Sequence, residues 1–130
     1  MKNERLLALT RQAAFGTIEL VDCLPRSMAF HRIGAQLFDS GTSQAANYRA
    51  ADRAQSTKAL IAKLKIVEEE SDESQFWLEC LFVAKLPEAH HERVRVLQDL
   101  FSQITRMTIA AIRTSRARLQ AERHSSQSRR

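Results

Sequence analysis

Five residues near the middle of the chain have the types and spacing to do chemistry: Asn47, Tyr48, Arg49, Glu70 and Glu73. Glu70 and Glu73 stand three apart, so a helix would put both carboxylates on one face. Arg49 on an adjacent antiparallel helix could reach one of them through a charge-assisted hydrogen bond. Such a set can line a polar pocket for a ligand. It can equally form a buried hydrogen-bond and ion-pair network that fixes helix register and subunit contact. The second reading is adopted, with Ser40 and Gln44 in the same polar layer and a ligand pocket as the alternative.

Other chemistries fit less well. A di-metal site inside a helical bundle asks for two Glu-x-x-His motifs and two further Glu, all pointing inward. One such match exists, Glu88 to His91, beside Pro87 at a helix start, while the acidic stretch after Ile66 holds no histidine. His90 and His91 are therefore expected in solvent, and neither a metal nor another cofactor is assigned. Nothing resembles a glycine-rich phosphate loop, a nucleophile elbow or a cysteine–histidine pair at a suggestive spacing. No catalytic residue is assigned, and the expectation is a non-enzyme. Phe76 and Trp77 could stack on a base. In an apolar run they read instead as core or interface.

The elements that must position these residues are helices. With 130 residues, three Gly and two Pro, the chain has a helix-forming composition and the length of one domain. The first helix is expected from about Asn3 to Cys23, where Leu6, Leu9, Ala13 and Leu20 mix with Phe15, Ile18 and Val21. Leu24-Pro25 ends it, and a second helix is expected from about Pro25 to Arg53. Its inward stripe reads Phe30, Ile33, Leu37, Ser40, Gln44, Asn47 and Ala51. Gly34 and Gly41 beside that stripe imply close approach by another helix, since each costs about 1 kcal/mol in a helix interior.

A third helix is expected from about Ser56 to Lys85, with Leu60, Leu64, Val67, Ser71, Ser74, Leu78 and Leu81 facing inward. Its last part, from Phe76 to Leu86, is apolar nearly all round, which marks burial on every side. Phe76, Trp77, Phe82 and Val83 are therefore expected at a subunit interface. The fourth helix is expected from about Pro87 to Gln120, with Leu97, Leu100, Phe101, Ile104, Met107, Ala111 and Ile112 inward. Residues 121–130 then read as a flexible basic tail, leaving residues 1–120 as the bundle. Four long helices, short connections and no strand pattern predict an all-α, antiparallel up-down four-helix bundle assembled as a homo-oligomer.

The central motif resembles the four-helix-bundle family of bacterial ribosomal RNA intervening-sequence proteins. The likeness is carried by Gln36-Leu37, Ser40, Ser43, Asn47-Tyr48-Arg49, Ser56, Lys63-Leu64, Glu70, Glu73 and Trp77-Leu78. It is strong over the central half of the chain and a matter of pattern alone in the first and last helices. The resemblance implies a cytosolic homopentamer of bundles. A related bundle, the accessory protein of diversity-generating retroelements, works with a reverse transcriptase and nucleic acid. One departure stands out: Ala50 follows Asn-Tyr-Arg where the family commonly carries Glu, so any ion pair of that Glu is missing here.

Charge supplies the remaining lead. The net charge is +5, and Arg113, Arg116, Arg118, Arg123, Arg129 and Arg130 against the single acid Glu122 account for all of it. The rest of the chain is balanced, so attraction to a polyanion must come from this end. The expectation is a non-catalytic assembly or adaptor protein whose basic C-terminal rim binds RNA or DNA, repeated in a ring. The alternative is a purely protein-binding scaffold with an incidental tail. MKNERLLALT lacks the apolar core of a signal peptide and no run is suited to span a membrane. A cytoplasmic protein without a membrane partner is expected, with Cys23 and Cys80 as buried reduced thiols.

Overall fold

In a computed structural model, which describes residues 3–129, α1 spans Glu4–Asp22, α2 Met28–Asp52, α3 Thr57–Val83 and α4 His91–Ser128. A 3-10 turn at Glu88–His90 leads into α4, and no strand occurs among the described residues. The first three helices begin where a short polar side chain can satisfy an orphan backbone N–H. Asn3 Oδ1 accepts from Leu6 N at 3.0 Å, Ser27 Oγ from Phe30 N at 3.2 Å, and Ser56 Oγ from Ala59 N at 3.1 Å. This corrects the expected start of α2 at Pro25: the stronger capping residue is Ser27, so the helix waits for it.

The helices alternate in direction, each packing on the next and α4 closing against α1. Along α1 and α2, Tyr48 OH donates to Asn3 O at 3.3 Å and Gln44 Nε2 to Thr10 O at 2.8 Å, while Gly34 lies beside Val21 and Leu24. Along α3 and α4, Gln75 Nε2 donates to Thr105 Oγ1 at 3.3 Å and Thr57 Oγ1 to Glu122 Oε1 at 2.8 Å. Between α1 and α4, Glu19 pairs with Arg93 at 3.5 Å.

The expected inward stripe of α3 is buried at every position, from Leu60 to Leu81. The stripe of α2 is not. Asn47 and Ile33 are only half-buried, whereas Gly34, Gly41, Ala45 and Tyr48 are buried. The reason is the close approach of α1: a Cβ on Gly41 would lie 2.8 Å from Thr17 Cγ2 and 2.9 Å from its Oγ1. That approach extends the buried face of α2 toward α1, so Tyr48 enters the core and Asn47 moves to its edge. On α1 itself, Phe15 and Ile18 are exposed, and the buried set is Leu6, Thr10, Ala13, Ala14, Thr17 and Leu20.

The end of α4 departs most from expectation. The segment from residue 121 onward, expected to be a flexible tail, is helical to Ser128; Arg130 lies outside the described residues. No Gly or Pro interrupts this stretch, Ala121, Glu122 and Arg123 at its start favour helix, and Arg118 pairs with Glu122 one turn on at 3.7 Å. Apolar periodicity ends near Ile112, but helix does not need it where propensity suffices.

Two substitutions check this packing. Gly41→Ala should lower the melting temperature, because Thr17 is fully buried and its Oγ1 already donates to Ala13 O at 2.7 Å. An overpacking cost of about 1–3 kcal/mol then outweighs a helix-propensity gain of about 1 kcal/mol. Lys85 has φ 67° at the end of α3, where Leu86 N donates to Leu81 O at 3.1 Å. Lys85→Gly should therefore stabilise by about 1 kcal/mol in a denaturant titration, since glycine adopts this left-handed conformation without a Cβ penalty.

Candidate functional site

The polar layer exists, with a membership different from the one expected. Ser40 Oγ and Ser74 Oγ are 2.8 Å apart across the α2–α3 contact, and both residues are buried. Gln44, also fully buried, sends Nε2 to Thr10 O and to Gly41 O at 2.8 and 2.9 Å. Its Oε1 and the Ser71 hydroxyl have no protein partner among the described residues. Thr10, Thr17 and Thr108 complete a set of buried hydroxyls, each donating to a carbonyl three or four residues earlier in its own helix. Tyr48 is held protonated by burial, then by nearby Asp52, against the lowering effect of its bond to Asn3. Asn47 turns back onto Ser43 O at 2.9 Å and Ser43 Oγ at 3.1 Å. These residues form a polar layer of mostly intrahelical hydrogen bonds, with Ser40–Ser74 and Gln44–Thr10 as its cross-helix links.

Arg49 does not join the acids. The Ser40–Ser74 contact sets the register so that Arg49 stands level with Lys65, about 7.5 Å along the axis from the level of Glu70. Arg49 is exposed, and the ion pairs among the described residues are Glu19–Arg93 and Arg118–Glu122. Glu73 is exposed and accepts from Trp77 Nε1 at 3.0 Å. Glu70 is half-buried, and desolvation, followed by the charges of Glu73, Glu69 and Asp39, raises its pKa. These carboxylates repel one another without a cation among them.

The residues expected at a subunit interface divide. Phe76 and Val83 are exposed at 54% and 80%, while Trp77 and Phe82 are half-buried. Phe82 meets His91 edge to face with centroids 4.9 Å apart, and His91 Nε2 lies 2.8 Å from Leu86 O. His91 is thus packed into the α3–α4 connection, where its ring closes the turn, and is not the solvated residue expected. Cys80 is half-buried and its thiol pKa is raised, first by desolvation and then by Glu79. Cys23, expected to be buried, is exposed at the end of α1, where Arg93 Nη1 lies 3.6 Å from its Sγ.

The arginines of α4 are sorted by helix face. Arg116 and Arg123 turn toward the start of α3, where they line a cleft with Lys58, Ile61, Leu119 and His124. Arg118 points elsewhere: its Nε donates to Thr57 Oγ1 at 3.2 Å and pairs with Glu122. Arg113 and Arg116 border a second hollow with Glu68, Ile109 and Ile112. Sequence reasoning missed Lys58 and His124, which no motif marks; His124 follows Arg123 on α4, and Lys58 reaches the cleft only through the packing of α3 on α4. A further groove between α1 and α4, lined by Phe15, Gly16, Val96, Leu97 and Leu100, is apolar and closed at one end by Glu19 and Arg93. No helix among the described residues is long and apolar enough to cross a membrane.

The raised pKa of Glu70 has a definite sign. The folded state binds its proton more tightly than the unfolded chain does, so stability is greatest below the ordinary carboxylate range and is lost as pH rises through the folded value. Glu70→Gln should melt higher than the parent at neutral pH. That advantage should vanish below about pH 3, where the parent carboxyl is protonated in both states. A constant difference across the pH series would contradict the assignment.

No protein-family model matches the chain, and no curated protein matches it. Among solved structures the chain is similar to a protein of unknown function from the S23 ribosomal protein family of Bacteroides thetaiotaomicron. The two are 25% identical with a TM-score of 0.72, over 87% of this chain and 99% of the other. The likeness gives the chain a helical fold relative whose own function is unknown.

Proposed function

We propose that the protein is a non-catalytic, self-assembling adaptor that engages RNA or DNA through the basic end of α4. The observation that carries this reading is the persistence of α4 to Ser128 with Arg113, Arg116, Arg118 and Arg123 exposed along it and Arg129 exposed at its end. A helix holds these guanidiniums at fixed spacing, so less ordering entropy is lost on binding than from a loose tail. Phosphate neutralisation by such an array is strongly salt-dependent and needs no base recognition. The resemblance of the central motif to intervening-sequence bundles also supports this class.

Self-association is supported by two unlike apolar surfaces on one subunit. Phe76 and Val83 form a ridge on α3, and Phe15, Gly16, Val96, Leu97 and Leu100 form a groove of about 400 Å³ between α1 and α4. Unlike surfaces suit a head-to-tail contact, which closes into a ring when the rotation permits. The resemblance implies five members, and five copies of α4 would convert weak phosphate contacts into avid binding. The proposed setting is the cytoplasm. The α1–α4 groove also favours a second reading, a scaffold for a protein partner with no nucleic-acid role.

Two measurements test the proposal. By light scattering, Val83→Glu and Phe15→Glu should each reduce the mass of the assembly while leaving the fold intact by circular dichroism, since both side chains are exposed. An unchanged assembly in both variants would remove the ring. Full-length protein should bind RNA or DNA with an affinity that falls steeply between low and physiological salt. Replacing all six C-terminal arginines with Gln should abolish that binding. Equal binding by the neutralised variant would overturn the reading.

A further inference from the structure

We infer that the cleft between the first turn of α3 and the last third of α4 is a binding site for the phosphate backbone of a nucleic-acid duplex. The inference rests on the nucleic-acid reading above and gives it a location, partner form and mode. Lys58 from α3 faces Arg116, Arg123 and His124 from α4 across a cleft of about 610 Å³, floored by Ile61 and Leu119 and lined by no carboxylate. Lys58 lies outside the basic C-terminal segment, so the site is a product of folding and not of the tail's composition.

The one acid of the C-terminal segment is turned off the cleft, and Glu68 borders the neighbouring hollow of Arg113 and Arg116 instead. Glu122 sits between Leu119 and Arg123 in sequence, yet it is held on the other flank of α4, accepting from Thr57 Oγ1 at 2.8 Å and pairing with Arg118 at 3.7 Å. Thr57 itself is buried and also accepts from Arg118 Nε at 3.2 Å. These contacts do two things at once. They screen the one negative charge of the segment, and they fasten α4 to the beginning of α3, so the two walls hold their cations in a fixed relation. The positive end of the α3 dipole lies in the same place and adds to the field of Lys58.

The cleft favours a backbone over other polyanions. Arg116 and Arg123 are seven residues apart, two turns of helix, or about 10.5 Å along one face. That spacing suits successive contacts along an extended charged strand. No Phe, Tyr or Trp lines the cleft, where the one ring is the small imidazole of His124; Phe76 and Trp77 lie nearly 20 residues further along α3, about 28 Å away. Single strands are held largely by stacking on aromatic rings. A site whose one ring stands beside three cations, with no Phe, Tyr or Trp platform, favours a partner whose bases are already stacked, and reads phosphate irrespective of sequence. A membrane surface fits poorly, because interfacial helices need a continuous apolar face. From Gln120 to Arg129 the only apolar residue is Ala121.

The test uses the full-length protein, labelled RNA and DNA duplexes of two unrelated sequences, and single strands of the same lengths. Lys58→Gln and Arg123→Gln should each weaken duplex binding by about fivefold to tenfold and lower the salt slope by about one, equally for both sequences. Arg32→Gln, an exposed site on the first turns of α2 at the other end of the bundle, should change affinity less than about twofold. Lys58→Arg should restore binding. All three positions are exposed, and thermal melts check that each variant folds. If Lys58→Gln binds like the parent while the arginine-neutralised protein does not, the cleft is wrong and the helix-end reading stands. If Arg32→Gln is as damaging as Lys58→Gln, binding is diffuse attraction and the cleft is wrong. Tighter binding of single strands, or equal binding of anionic vesicles or poly-glutamate, overturns the duplex assignment. No binding by the parent protein removes both readings.

Discussion

The contact on which the rest of the structure depends is the buried pairing of Ser40 with Ser74. A neutral hydrogen bond of this kind contributes only about 1 kcal/mol net, but a buried hydroxyl left without a partner costs about 1–3 kcal/mol. Each serine can also donate within its own helix, Ser74 to Glu70 O at 2.9 Å and Ser40 to Leu37 O at 3.4 Å, so the contact marks the level at which α2 meets α3 and adds a modest preference for it. Sliding α2 one turn toward the end of α3 would set Ser40 against Leu78, which offers no polar atom. Gln44 reaching Thr10 O and the packing of Gly41 on Thr17 fix α2 against α1 in the same way. With three helices in register, the α2–α3 turn and the start of α3 arrive where Thr57 can catch Glu122 and Arg118. The basic end of α4 is placed by a chain of contacts that begins at two serines.

Some of this was legible in the sequence, and the physical reason is periodicity. The inward face of α3 repeats at 3 and 4 over its whole length with large apolar residues at both ends, so its two central serines could be placed in the core. The face of α2 was harder to read. Gly34, Gly41 and Ala45 are small enough to bury in more than one orientation, and the approach of α1 decided between them. That choice moved Tyr48 inward and Asn47 to the edge, and it took Arg49 away from Glu70. Thr10, Thr17 and Thr108 were invisible because a hydroxyl looks solvent-facing in a sequence, whereas in a helix it can donate to its own turn and be buried.

The helical end of α4 shows the limit of pattern reading from the opposite side. Apolar periodicity marks helices that pack, and it stops near Ile112 because little remains for the last turns to pack on. Propensity, an Arg118–Glu122 pair and the anchoring at Thr57 carry the helix further. This changes what the arginines can do. On a loose tail they would act as a diffuse cloud of charge. On a helix they fall into faces, and the face shared by Arg116 and Arg123 meets Lys58. The acidic run of α3 meets the basic face of α4 at Glu68, which borders the hollow of Arg113 and Arg116, while Lys58 and Arg123 lie beyond it toward the end of the bundle.

The central claim is that phosphate backbone lands in the α3–α4 cleft, and the most direct measurement is where a duplex is felt on the protein. Ile61 and Leu119 floor the cleft and carry methyl groups that report on it. On titrating a short duplex into the methyl-labelled full-length protein, their NMR signals should shift and saturate together, while that of Val96 in the α1–α4 groove should stay in place. Shifts concentrated at Val96 and Leu97, with Ile61 and Leu119 unmoved, would contradict the account.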